Sequence, residues 1–168
     1  MTRWRTDSVW KGLVAGIAAG LVASWVMAQF HSLAAKVPGM PPPEPAPDED
    51  STVKTAAAIS EGVFHHALSK DEKRVLGPAV HYGFGSLVAG VYGAVAEKLP
   101  IVKKAAGVPF GLAVWLGAHV ITAPALGLSR PVTRSPVSME AVELGAHVVY
   151  GGVTEFLRRL VRTALEKL

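Results

Sequence analysis

The sequence contains no cysteine. That excludes a disulfide scaffold, a Cys-ligated iron–sulfur site and any thiol enzyme. Charge is also scarce. Asp, Glu, Lys and Arg make up 18% of the chain, against about 25% in an ordinary soluble domain. The 17 Gly and 12 Pro follow no collagen triplet. The spacing of the few charges decides the class. Residues 12–35, 75–96 and 105–129 carry no Asp, Glu, Lys or Arg. A helix needs about 20 apolar residues to cross the roughly 30 Å of a bilayer's hydrocarbon, and each gap is that long. Three such gaps exclude an ordinary soluble globule. They also exclude a nucleic-acid-binding domain, although the pI is near 9.5.

These gaps predict an all-α integral membrane protein, a single membrane domain over residues 1–168. The first span is expected over about 12–31, flanked by Arg3, Arg5 and Lys11, with Trp4 and Trp10 as interface anchors. This layout also fits a secretory signal peptide, but its uncharged core exceeds the roughly 7–15 residues of such a segment. An uncleaved helix is therefore expected. The second and third spans fall at about 77–97 and 107–126. A more polar segment, 136–156, holds Glu140, Glu143, His147 and Glu155 between Arg134 and Arg158. It is read as the fourth span of a four-transmembrane-helix bundle. Between the first and second spans lies a long external loop, 32–74. It holds a polyproline-like stretch over 38–47, an acidic run, and an extra amphipathic helix that Ser51 can cap and that runs to Leu68. With several charges, this helix is expected on the membrane surface or over the bundle mouth.

Ten of the 17 basic residues precede span one, join spans two and three, or follow span four. The positive-inside rule then puts both termini in the cytoplasm and the long loop outside. Gly12, Gly16 and Gly20 recur every four residues, as do Gly85, Ala89 and Gly93, then Gly107 and Gly111, then Ala141 and Gly145. Such ridges let helix backbones approach closely where no water drives association. None resembles a phosphate loop, because no strand pattern precedes and no Lys-Ser or Lys-Thr follows.

Ionisable groups in hydrocarbon cost several kcal/mol unless paired, so each needs a reason. At a rise of about 1.5 Å per residue, His31, His81, His119, Glu140 and Glu143 fall in one outer layer, with His147 roughly 16 Å down span four. Residues 140, 143, 147, 150 and 154 follow a 3-4-3-4 spacing, so Glu140, Glu143, His147, Tyr150 and Thr154 share one helix face. Tyr92 and Tyr150 could add hydrogen bonds to this layer. Glu97 and Glu155, beside Lys98, Arg158 and Arg159, are expected as ion pairs at the cytoplasmic helix ends, with Glu97 reaching Arg158 or Arg159 across two helices. Three readings stay open for the membrane His and Glu: a structural interhelical network, a proton or ion pathway, or a metal or haem site using His81, His119, Glu143 and His147. No cofactor is expected. No His-Glu-x-x-His motif or nucleophile set is present, so no enzyme is expected. Membrane lipid, and a second copy of the chain, are the expected partners.

Ordered polar residues tie these spans to a known family. In span two they are His81, Gly90, Tyr92 and the run Ala96-Glu97-Lys98-Leu99-Pro100. In span three they are Gly111, His119, Pro124, Gly127 and Leu128. In span four they are Glu143, His147, Glu155, Arg158 and Arg159. With them, over about residues 10–162, the chain resembles the YagU-like family of bacterial inner-membrane proteins, whose molecular function is unknown. The resemblance implies a multi-pass protein of the bacterial inner membrane. One family member has been linked to acid resistance, a phenotype that would fit membrane His and Glu residues.

Overall fold

The computed structural model describes residues 6–38 and 50–167. The expected anchor Trp4, the flanking Arg3 and Arg5, and the polyproline stretch beyond Pro38 lie outside the described residues. The described elements are all helical. They are α1 (Thr6–Ala34), α2 (Ser51–Phe64), α3 (Lys70–Lys98), a helix α4 over 108–125, and α5 (Val137–Glu166). Short 3₁₀ turns at Pro100–Gly107 and Val132–Arg134 join the last three. Three helices are long and apolar enough to cross a membrane: Ser8–Ala34, Lys70–Lys98 and Pro100–Ala125. The protein is therefore a multi-pass helical membrane bundle. α5 has 30 residues, so it is roughly 45 Å long, but its charges keep it below that apolarity.

α1 is the centre of the packing, with α3 along one side and α5 along another, while α4 lies on α5. The contact of α1 with α3 joins two of the small-residue ridges. A Cβ on Gly16 would collide with the carbonyl of Ala89, and one on Gly93 with the carbonyl of Gly12. Gly20 and Gly85 meet in the same way, and Ser24, next on the line, fills the space that Gly85 leaves open. The core is correspondingly fine-grained. Ala23 and Met27 of α1, Ala89 of α3, and Ala146 and Tyr150 of α5 form one buried cluster, and Ala15, Ala19 and Ala96 are buried as well.

The contact of α4 with α5 uses Gly107 and Gly111 as expected, but not the anticipated Ala141–Gly145 ridge. Ala141 is exposed and Gly145 faces the ring of Phe30. The close approach comes one and a half turns later, at Gly151, whose backbone meets those of Gly107 and Gly111. Gly107 has φ 84°, a left-handed conformation that side chains disfavour. It ends a turn in which Ala105 and Ala106 are also left-handed. Within α4, residues Trp115–Thr122 form a π-helix, a widened geometry that is rare and frequent at functional sites.

α2 packs on the first turns of α3, with Val53 against Gly77. Asp50, not Ser51, is its cap, its carboxylate accepting from Thr52 N–H at 2.6 Å. It ends at Phe64 instead of Leu68, because His65 turns left-handed at φ 53°. The expected apolar face shrinks accordingly to Val53, Ala56 and Ser60, and Phe64 is 71% exposed.

Candidate functional site

Polar side chains gather at two levels of the bundle. The first is at the end where α1 finishes and α5 begins. His31 closes α1, and its Nε2 lies 3.1 Å from Glu143 Oε1 on α5. His119, carried on the π-helical turn of α4, donates from Nε2 to Glu140 Oε2 at 3.0 Å. Between these two pairs sits His147, 8% exposed. Its Nδ1–H donates to the Glu143 backbone carbonyl at 2.8 Å. The His147 and His119 rings face each other with centroids 6.1 Å apart and planes tilted by 53°. Three helices thus supply a string of neighbours, His31, Glu143, His147, His119 and Glu140, in which, among the described residues, no hydrogen bond joins the side chains of Glu143 and His147 or the rings of His147 and His119. A neutral imidazole that donates from one nitrogen accepts at the other. His147 therefore keeps Nε2 as an acceptor, and His119 keeps Nδ1.

The details depart from expectation in three places. The side chains of Glu143 and His147, an i, i+4 pair, do not bind each other, since the Glu143 carboxylate is turned to His31 and His147 uses a carbonyl of its own helix. His81 does not join the string. The ridge contact seats α3 against α1, and His81 Nε2 there donates to the Ser24 carbonyl at 3.2 Å. Ser24 lies seven residues before His31, about 10 Å deeper along the helix. Tyr150 also leaves the layer, its hydroxyl donating to the Gly85 carbonyl at 2.6 Å. It is thereby a tie between α5 and α3. Among the described residues, no group of three or more His, Asp or Glu is placed to hold a metal ion.

The second level is at the opposite end. Glu155 is 1% exposed and Arg158 3%. Arg158 donates from Nε to Glu155 Oε2 at 2.7 Å and from one Nη to Oε1 at 3.0 Å, a two-pronged ion pair. Arg159 Nε adds a bond to Oε1 at 2.6 Å, and the Tyr92 hydroxyl donates to Oε2 at 2.9 Å. Glu97 of α3 lies 3.6 Å from Arg158, and Arg162 donates to it from Nε at 3.0 Å. Tyr92 was expected as an aid to the His layer, but it stacks on Phe110 at 4.2 Å and serves Glu155 instead. Arg162 and Phe110 were not singled out from the sequence. A signal for Arg162 existed, since it follows Arg158 by four residues and so shares its face.

In the charged first turn of α3, ahead of the charge-free run that starts at Val75, the Ser69 backbone N–H and hydroxyl both donate to Glu72 Oε2, at 2.8 and 2.7 Å, and His66 donates to Oε1 at 3.0 Å. These hydrogen bonds, the backbone one foremost, hold the Glu72 carboxyl down at about 2.

A bundle of apolar spans with an internal His/Glu network at one end and a buried Arg/Glu cluster at the other defines a polytopic helical membrane protein. The family model described as a protein of unknown function, DUF1440, matches residues 42–156, and the chain belongs to that family. The match takes in α2, α3, α4 and the first two-thirds of α5, and leaves out α1 and the arginines at 158, 159 and 162. No curated protein and no solved structure matches the chain.

Proposed function

We propose that the protein is a non-enzymatic, four-span protein of the bacterial inner membrane that moves or senses protons through its His/Glu string. The observation that carries this reading is the seating of His147 between two His–carboxylate pairs contributed by three different helices. Histidine ordinarily titrates near 6.5, and neighbouring titratable groups brought together from three helices are what proton exchange needs. The π-helical turn beneath His119 supports the same reading. α5 serves as the fourth span because its polar residues turn inward: His147, Tyr150, Thr154, Glu155 and Arg158 are all buried. Both termini are assigned to the cytoplasm from the ten basic residues of the inward segments. That puts the His layer on the outer side, where external acid would reach it first. Four helices make a thin pathway, so a homo-oligomer belongs to this proposal.

A structural reading has its own support. His81 and Tyr150 each spend a donor on a backbone carbonyl of a neighbouring helix, which fastens helices without any proton movement, and His147 spends one within its own helix. A metal or haem site has less, given the lack of a three-ligand group among the described residues. Nitrogen-15 imidazole NMR of the protein in nanodiscs separates the first two. Under the proton reading, His119 and His147 titrate reversibly, and His119→Gln moves the His147 midpoint. Under the structural reading, neither ring changes protonation over the range in which the fold survives.

A further inference from the structure

The Arg/Glu level opens to solvent as a cleft of about 220 Å³ at the shared end of α3 and α5. Glu97, Lys103, Arg159, Arg162, Thr163 and Glu166 line it, over the buried Arg158. Its cations exceed its carboxylates. Lys103, Arg158, Arg159 and Arg162 face Glu97 and Glu166 in the wall and Glu155 behind it. Glu155 is already enclosed by Arg158, Arg159 and Tyr92.

The donors are fixed in place rather than free to wander. Arg159 is pinned by Nε to Glu155 and by one Nη to the Lys103 carbonyl at 3.1 Å. Its side chain is nonetheless 57% exposed, and its other Nη has no hydrogen bond among the described residues. Arg162 is held between Glu97 and Glu166, each at 3.0 Å. The Lys103 ammonium has no carboxylate partner among the described residues. A planar guanidinium locked in this way presents a preformed fork to a tetrahedral oxyanion.

We propose that this cleft binds a phosphate group, supplied by the headgroup of an anionic phospholipid. The location favours the lipid over a soluble phosphate. The cleft lies where α3 leaves its span, beside the Lys98, Lys103 and Lys104 link, and Lys11 at the start of α1 reaches the Leu165 carbonyl on the same side at 2.7 Å. Basic pockets between helices at this level are where anionic headgroups bind.

The test uses the full chain, purified and delipidated in a neutral detergent. Phosphatidylglycerol, phosphatidylcholine and inorganic phosphate are added separately. Bound lipid is read by native mass spectrometry, and the thermal midpoint is read in parallel. Phosphatidylglycerol should be retained and should raise the midpoint, while phosphatidylcholine should do neither at the same concentration. Lys103→Gln leaves every ion pair of the cluster intact and should weaken retention roughly tenfold, the loss of one charge-assisted contact. Arg159→Gln should weaken it further. Lys54→Gln on α2 makes the same charge change at the other end and should have no effect. A midpoint raised by inorganic phosphate alone supports the phosphate chemistry and assigns it a soluble source. Equal retention of the two lipids with no response to phosphate, or equal loss with Lys54→Gln and Lys103→Gln, overturns the proposal.

Discussion

Glu155 shows how much a single residue can carry in this bundle. Its carboxylate is 1% exposed and accepts from Arg158, Arg159 and Tyr92. Removing it leaves the buried Arg158 with only Glu97, 3.6 Å away and shared with Arg162, and breaking a buried ion pair costs about 3–5 kcal/mol. Glu155→Ala should therefore lower unfolding stability in detergent by that order, and Glu155→Leu combined with Arg158→Met should recover most of it. A Glu155→Ala protein as stable as wild type would mean that the cluster is solvated. Glu72 makes a smaller, pH-dependent contribution at the corner of α2 and α3. Its carboxyl lies at about 2 against an ordinary 4.5, so its stabilisation is complete above 4.5 and is lost as pH falls through about 2. Limited proteolysis at that corner should become faster across this window, and Glu72→Gln should be equally susceptible above it. The Glu–Arg neighbours at 155, 158 and 159 were legible because helix spacing alone places them together. The turn of the Glu143 carboxylate to His31 was not, because two partners at similar depth compete and only the packing of α1 on α5 selects one.

At the scale of the helix, small residues set the architecture. The ridge of Gly12, Gly16 and Gly20 was legible as an interface from its four-residue spacing, and it meets the equivalent ridge of α3. Its partner was not, since α3, α4 and α5 all carry such spacings. In α5 the repeat at Ala141 and Gly145 was misleading, and Gly151, which has no small residue four positions away on either side, makes the close contact. Gly16→Leu must push against the Ala89 backbone, which cannot rotate away, whereas nothing lies within 4 Å of a Cβ on Gly83. Folded yield and thermal stability should fall sharply for Gly16→Leu, since overpacking of this kind costs about 1–3 kcal/mol or more, and stay near wild type for Gly83→Leu. Equal behaviour of the two would contradict the ridge contact. The π-helical turn under His119 had no sequence signal, because local apolar spacing does not distinguish a five-residue from a four-residue turn.

The described residues form a set of apolar helices held by glycine contacts, with the clusters of charged and titratable groups at its two ends and with His81 and Tyr150 tying α3 to α1 and to α5 between them. The charge-free runs made three spans legible. α5 was harder to read, because it hides its charges against its neighbours instead of lacking them. The grouping of His31, His119 and His147, and the exclusion of His81, depended on which helix lies beside which. The proton reading is tested most directly by flux. Purified wild-type protein in liposomes should dissipate an imposed pH gradient faster than empty liposomes do. His119→Gln and His147→Gln proteins that keep the wild-type thermal midpoint should fall to the empty-liposome rate. A wild-type rate equal to that of empty liposomes, or folded variants as fast as wild type, would contradict the account and leave the string a structural fastening.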